Sequence, residues 1–473
     1  MSIFENNMNN SVDQLNDYLL KQSNVYMPST VLGSPTSIQL EVSNICNLKC
    51  IMCPIEDLKA KKEKLTLDKF KHIISQFPFL RIIRLYGIGE PLNNPRIAEM
   101  VKICKSKNIY TEFVTNGTLL NEKRSGELID SGLDKLLISL DSIHPENYES
   151  VRKGAKFRKV IENVKGFIHK RKSLGKSQPS VGVVVVLMNR NKQELAEIID
   201  FVYHLGVDSI LIKGLNTAYL EQPGNLQYDG EEFEEVFSLR EDFKSKGFDI
   251  QLSAPHKKKE ERCHWPWTSV FLTVNGDITP CCNCPDSAKL SFGNIFQQPF
   301  LEIWNSRKYR DFRSTFRKEM PAICRSCPDY SFDYLARERQ INTTVFDVHN
   351  EISYLAFTEA KDFYKLGSTI RINLNDFSHS VLTEKVDLWI VIYQPNGEWV
   401  FLVNNNMFSL QPQPFKNGLK REEKTHRIVM QIPPSAMTGK YVLCAIYHKE
   451  KMAFSTLPIN LRSNIAKQTV TLL

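Results

Sequence analysis

From Ser37 to about residue 250 the chain alternates short runs rich in Val, Ile and Leu with stretches whose apolar residues recur at helical spacing. That alternation admits few folds, because strand, amphipathic helix and strand in succession build a parallel sheet covered by its own helices. The strand candidates are Ser37–Ser43, Arg81–Tyr86, Tyr110–Thr115, Lys135–Leu140, Val181–Met188 and Ser209–Gly214. Between them, Leu67, Phe70, Ile73, Ile74 and Phe77 share a helix face, as do Ile97, Met100, Val101 and Cys104. Val160, Val164, Phe167 and Ile168 repeat the pattern, followed by Leu195, Ile198, Ile199 and Val202. Six such units fall short of a closed eight-unit barrel. An open, partial (β/α)6 barrel of α/β class is therefore expected, with its chemistry at the C-terminal ends of the strands.

The flanking regions read differently. Residues 1–36 form a polar lead-in with a helix around Val12–Lys21. Residues 251–344 lose the alternation and gain Cys, Trp and Pro. Within 345–473, Ser368–Leu374, Val386–Tyr393, Trp399–Val403, Thr425–Ile432 and Tyr441–Tyr447 read as strands, separated by turns such as Pro395-Asn396-Gly397. They predict an all-β sandwich of immunoglobulin-like size acting in recognition or packing. The expected units are thus 1–36, 37–250, 251–344 and 345–473.

Composition excludes several classes. With 42% hydrophobic and 24% charged residues, the 473-residue chain is neither disordered nor fibrous. It holds no uncharged apolar run of membrane-spanning length, and its N-terminus lacks the basic and apolar regions of a secretory signal. A cytoplasmic protein with no membrane partner is expected. The net charge of +8 is spread over the chain without a concentrated Lys/Arg tract, so no nucleic-acid partner is expected.

The eleven cysteines are unevenly placed. An odd number without an export signal argues against a disulfide framework. Cys104 sits on an apolar helix face and Cys444 in a candidate strand, both as core thiols. Cys46-Asn-Leu-Lys-Cys50-Ile-Met-Cys53 follows the first strand directly. Three thiolates at this spacing suit one corner of a cubane iron–sulfur cluster and leave one iron open, whereas structural zinc calls for four ligands.

In this setting the sequence resembles the radical S-adenosylmethionine (SAM) superfamily over about residues 37–250. The resemblance implies a SAM-binding 4Fe–4S cluster held by Cys46, Cys50 and Cys53. Its open iron would chelate SAM, and reductive cleavage would release a 5′-deoxyadenosyl radical that takes hydrogen from substrate. Met52 stands where an aromatic residue is frequent in that family. Gly87-Ile88-Gly89-Glu90-Pro91 is similar to the family's GGEP motif, with Ile88 in place of a glycine. By the same likeness, Gly89, Glu90, Asn116, Ser139 and Arg152 become candidate SAM contacts, with Asp141 a neighbour. Arg152 would take the carboxylate of SAM or serve as a solvated helix charge. Lys213, ending the sixth strand, would face substrate or serve as an ordinary strand-end charge.

The second group comprises Cys263, Cys281, Cys282, Cys284, Cys324 and Cys327. Four of these thiolates alone would suit zinc. Beside the first group, the segment resembles the SPASM/twitch auxiliary-cluster extension of radical SAM enzymes. That likeness implies one auxiliary 4Fe–4S cluster on Cys263, Cys281, Cys324 and Cys327, with Cys282 and Cys284 as spares or replacements. Trp265, Trp267 and Trp304 are expected to pack around it.

The implied enzyme is a radical SAM oxidoreductase that starts with SAM cleavage and passes the substrate radical's electron to the auxiliary cluster. Alcohol oxidation on a sugar or aminocyclitol is the expected outcome. A peptide-modifying maturase is the alternative within the same chemistry, and a zinc-stabilised carbohydrate- or protein-binding module is the alternative outside it. The expected partners are a small-molecule or peptide substrate and an electron donor such as flavodoxin or ferredoxin.

Overall fold

The computed structural model describes residues 12–216, 240, 242–253, 263–316, 319–325, 327, 352–378, 384–404, 407–454 and 460–473. The first two-thirds contain β1 (Ser37–Leu40), β2 (Lys49–Cys50), β3 (Ile82–Arg84), β4 (Tyr110–Thr115), β5 (Lys135–Ser139) and β6 (Arg152–Lys153). They continue through β7 (Ser180–Leu187), β8 (Ser209–Gly214), β9 (Asp249–Ser253), β10 (Ser269–Leu272), β11 (Asp277–Thr279) and β12 (Gly293–Asn294). All but β2 and β6 form one ten-stranded sheet in the order β12-β11-β10-β1-β3-β4-β5-β7-β8-β9. It is parallel from β10 to β9, with an antiparallel β11–β12 edge. Among the described residues no closed barrel forms, as the sequence leads one to expect.

All six expected strands are present: β4 and β8 keep their expected bounds, β7 is shifted by one residue, and β1, β3 and β5 are shorter. The sheet is nevertheless larger than expected. β9 extends one side, and the cysteine-rich segment adds β10 to the free edge of β1, in register from Ser37↔Ser269 to Leu40↔Leu272. Ser269-Val-Phe-Leu is buried at every position, so its apolar run satisfies a strand covered on both faces, as do the valines of β7. The helices between strands are capped locally. Thr66 accepts from Lys69 N–H and Asn121 from Arg124 N–H. The lead-in helix runs from Val12 to Tyr26, longer than expected.

The C-terminal region contains β13 (Leu355–Thr358), β14 (Phe363–Tyr364), β15 (Thr369–Asp376), β16 (Val386–Tyr393) and β17 (Trp399–Val403). It ends with β18 (Met407–Ser409), β19 (Lys416–Leu419), β20 (Thr425–Gln431), β21 (Gly439–Lys449) and β22 (Ala466–Leu472). They form a three-stranded sheet, β13-β15-β20, and a seven-stranded one built around β16, β21 and β22. Ile370, Ile372, Leu374 and Ile428 of the first sheet join Leu388, Ile390, Leu443 and Tyr447 of the second in one core. The region is all-β, as expected. Its short strands at β13, β14, β18 and β19, and the seven-residue β22, were not among the expected strands.

Two tryptophans fasten the cysteine-rich segment to the chain ahead of β1. Trp267 donates to Pro28 O at 2.8 Å and Trp304 to Gly33 O at 3.0 Å, both fully buried. Cys104 and Cys444 are buried, as expected of core thiols. Among the described residues, no helix is long and apolar enough to cross a membrane.

Candidate SAM and iron–sulfur site

Cys46, Cys50 and Cys53 lie on the loop that leaves β1, and none is in a disulfide. The loop is pinned by the small β2–β6 ladder, in which Cys50 faces Arg152, and by Ile51 N–H to Val151 O at 3.0 Å. Cys53 N–H returns to Cys50 O at 3.1 Å. Donors converge on the sulfurs. Leu48 N–H reaches Cys46 Sγ at 3.4 Å, Asn116 Nδ2 the same sulfur at 3.9 Å, and Arg152 Nη1 reaches Cys50 Sγ at 4.0 Å. Such donors tune an iron–sulfur cluster through its thiolates.

Burial pushes all three thiols up, Cys53 to about 12, while Arg152 opposes the rise at Cys50. Left alone they are protonated at neutral pH, so a thiolate site requires the positive charge of a metal. Among the described residues, no three acidic, Cys or His side chains converge tightly enough to grip a single ion. Three thiols on one loop fall one short of the four ligands of a structural zinc. The donor set instead fits a cluster. The thiols are grouped on one loop, N–H groups aim at their sulfurs, and the buried Arg152 Nε and Tyr148 Oη beside Cys50 have no partner.

The other candidate residues surround this loop. Gly89 presses on the strand continuation that precedes Cys46: a Cβ there would stand 2.1 Å from Ser43 O. Only glycine fits so close an approach. Glu90 is buried, and burial raises its carboxyl. Its oxygens already accept from Leu92 N–H at 3.0 Å, Thr115 Oγ1 at 2.7 Å and Asn116 N–H at 2.8 Å. Glu90 thereby locks the loops after β3 and β4 together. Asn116 bridges to Asn47 Oδ1 at 3.0 Å. Ser139 closes β5 and is buried.

Arg152 is also buried, and its Nη2 pairs with Asp141 Oδ2 at 2.8 Å. Burial works against its charge, but Asp141, Cys50 and Tyr148 outweigh that and raise its pKa. It is therefore an internal ion, not a solvated helix charge. Lys213 lies near the half-buried Tyr86, whose hydroxyl is pushed up by desolvation; Lys213 opposes that rise and Cys282 adds to it.

The second cysteine group meets the same mouth of the open barrel. Asn216, just beyond β8, donates to Asn283 O at 3.2 Å. Cys284 is hydrogen-bonded with Cys281, which lowers its pKa, and with Cys324, which raises it; burial and the neighbouring Cys324 and Cys327 leave the thiol raised. Cys284 N–H returns to Cys281 O at 3.1 Å and Cys327 N–H to Cys324 O at 3.0 Å. Two C-x-x-C knuckles therefore face each other. Cys263 lies with Cys281 near Tyr309. Cys284 was a spare in the sequence reading, although Cys281-Cys-Asn-Cys284 has the same spacing as Cys324-Arg-Ser-Cys327 and marks it.

Comparison with known proteins agrees with this arrangement. Residues 40–202 match the radical SAM superfamily, and residues 263–328 match the SPASM iron–sulfur cluster-binding domain. A tungsten-containing aldehyde ferredoxin oxidoreductase cofactor-modifying protein of Pyrococcus furiosus is 28% identical over 61% of this chain and 86% of its own length. The PqqA peptide cyclase of Gluconobacter oxydans is 26% identical over 63% and 84%. Among solved structures, SuiB of Streptococcus suis bound to S-adenosylmethionine superposes with a TM-score of 0.52 at 18% identity, covering 68% of this chain and 78% of that one. The same protein bound to its precursor peptide SuiA gives 0.52 at 16%, covering 68% and 77%. Residues 40–202 thus form a radical SAM domain, and residues 263–328 an SPASM domain for auxiliary iron–sulfur clusters.

Proposed function

We propose that this radical SAM enzyme modifies a peptide. Sugar or aminocyclitol oxidation, the outcome first expected from the sequence, finds no support in the relatives described, which act on a peptide or a cofactor by name. The observation that carries the reading is the contact of the second cysteine segment with the strand-end face of the sheet that also carries the first, Asn216 beyond β8 donating to Asn283, in a chain similar to PqqA peptide cyclases. Cys46, Cys50 and Cys53 hold the first 4Fe–4S cluster. The second cluster draws four thiolates from Cys263, Cys281, Cys284, Cys324 and Cys327. Bound there, the first cluster would supply the electron for reductive cleavage of SAM.

The chain's own residues orient the reactants. Gly89 lets the backbone of its loop approach closely, and Glu90 and Asn116 hold that loop against the Cys46 loop. Ser139 closes a neighbouring strand end, and Arg152 keeps a fixed positive charge beside Cys50. Lys213 and Tyr86 line the substrate side. The β-sandwich serves recognition or packing, and a flavodoxin or ferredoxin donates the reducing electron.

Anaerobic reconstitution tests the reading. About eight irons per chain are expected for two four-iron clusters. Reduced enzyme with SAM should form 5′-deoxyadenosine, and Cys46→Ala, Cys50→Ala or Cys53→Ala should abolish it. Candidate precursor peptides incubated with the holoenzyme should change mass. Zinc in place of iron, or cleavage persisting in the triple variant, would refute the proposal.

A further inference from the structure

Glu41 follows β1 directly and belongs to neither thiol group. It is an acid within an apolar run and is 5% exposed. Its carboxylate is shared between two parts of the molecule. Oε1 accepts from Ile88 N–H at 3.0 Å, within the Gly87–Pro91 loop. Oε2 accepts from Val274 N–H at 3.3 Å, in the turn from β10 to β11 that leads on to Cys281. The backbone of Glu41 makes the same link, donating to Leu272 O at 2.9 Å.

Gly87 is shaped around this side chain. A Cβ at Gly87 would stand 2.6 Å from Glu41 Cβ, Cγ and Oε1, so the glutamate occupies the space a side chain would need. Burial pushes the Glu41 carboxyl up, while the N–H groups of Ile88, Val274 and Gly89, and the charge of Lys62, oppose the rise. A buried acid costs more than a hydrocarbon of its size. What it supplies here is two acceptor oxygens a fixed distance apart. A glutamine has only one, and an aspartate is one methylene too short to span both.

We infer that Glu41 is a positioning residue. It fixes the Gly87–Glu90 loop in register with the auxiliary-cluster hairpin, and through Ile88 it sets the affinity for SAM. The inference rests on the SAM site proposed above, in which the Gly87–Glu90 loop meets the cofactor.

SAM itself is the probe, titrated calorimetrically onto the reconstituted holoenzyme. Its effect on the electron paramagnetic resonance of the reduced first cluster gives a second readout. Glu41→Gln should bind SAM roughly tenfold more weakly, as loss of a charged hydrogen bond predicts. The KM for SAM should rise in step while kcat for 5′-deoxyadenosine stays within about threefold, the pattern of lost cofactor binding. Glu63→Gln removes a different contact to the same hairpin, that from Asn275 at 3.1 Å, and should leave SAM affinity within about twofold. If Glu41→Gln fails to retain iron, Glu41→Asp and Gly87→Ala carry the test, each with weaker SAM binding expected. Unchanged SAM affinity in an iron-replete Glu41 or Gly87 variant overturns the inference alone. A wild-type chain that binds no SAM overturns the site on which it rests.

Discussion

At the scale of single residues, the buried charges are the most exacting part of the site. Arg152 and Asp141 form an ion pair with side chains 8% and 0% exposed. Removing one partner leaves the other buried and uncompensated. Arg152→Ala should therefore cost about 3–5 kcal/mol in chemical denaturation, more than a surface pair would. The cysteines pose a sharper question, since the second cluster as proposed takes four of five thiols, Cys263, Cys281, Cys284, Cys324 and Cys327. Cys324→Ala and Cys327→Ala should each remove about half of the iron, the share of one of two four-iron clusters. On that proposal, Cys263 and Cys284 compete for the last position. Iron analysis should show that only one of Cys263→Ala and Cys284→Ala keeps the full content; loss in both, or in neither, would break the five-for-four account. The triad at Cys46 was legible because its spacing is local in sequence. The Cys281–Cys284 knuckle was obscured by Cys282, an extra thiol inside the same four residues. Glu41 was missed because an acid at a strand end carries no pattern until its two N–H partners, 47 and 233 residues away, are folded against it.

Among elements, legibility followed the length of the apolar pattern. The six core strands each carry a run long enough to read, and the helices between them carry a full apolar face. β10 was missed because Ser269-Val-Phe-Leu has four residues and follows a Trp-Pro-Trp turn, and its pairing to β1 spans more than two hundred residues. The short strands of the sandwich were missed for the same reason. Within that sandwich, β20 and β21 are joined by a buried contact, His426 Nε2 to Tyr447 Oη at 2.7 Å. Burial lowers the His426 pKa, Lys416 lowers it further, and Glu423 and Asp376 oppose the fall. The folded state thus binds its proton less readily than the unfolded chain. Stability from this group is present above the unfolded histidine value of about 6.5 and is lost as pH falls through the lower folded value. Thermal melts should show the sandwich weakening below about pH 6.5. His426→Gln should flatten that dependence; a slope unchanged in the variant would assign it to other groups.

For the whole molecule, the open question is how the sandwich relates to the catalytic unit. A separate apolar cluster joins them. Leu19 of the lead-in helix and Phe79 of the core pack with Trp389, Val391, Phe401 and Ile446 of the seven-stranded sheet and with Leu461 ahead of β22. Lys467 Nζ pairs with Asp13 at 2.5 Å at its margin, beside the Phe79 ring. The lead-in helix is therefore a structural mediator between the two units. That role explains why a polar-looking N-terminal segment buries Leu19 and Leu20. The joint is distant in sequence from both cysteine groups and shares no side chain with them. Leu19→Ala and Phe79→Ala each delete a buried side chain, at about 2–5 kcal/mol. Calorimetry of the double variant should resolve two unfolding transitions where the wild type shows coupled ones. Formation of 5′-deoxyadenosine should persist, because the barrel mouth is untouched. If turnover of a peptide substrate falls while SAM cleavage holds, the sandwich takes part in presenting that substrate; if both persist, it is a packing module. Loss of SAM cleavage itself would show that the joint supports the catalytic unit and would refute its independence.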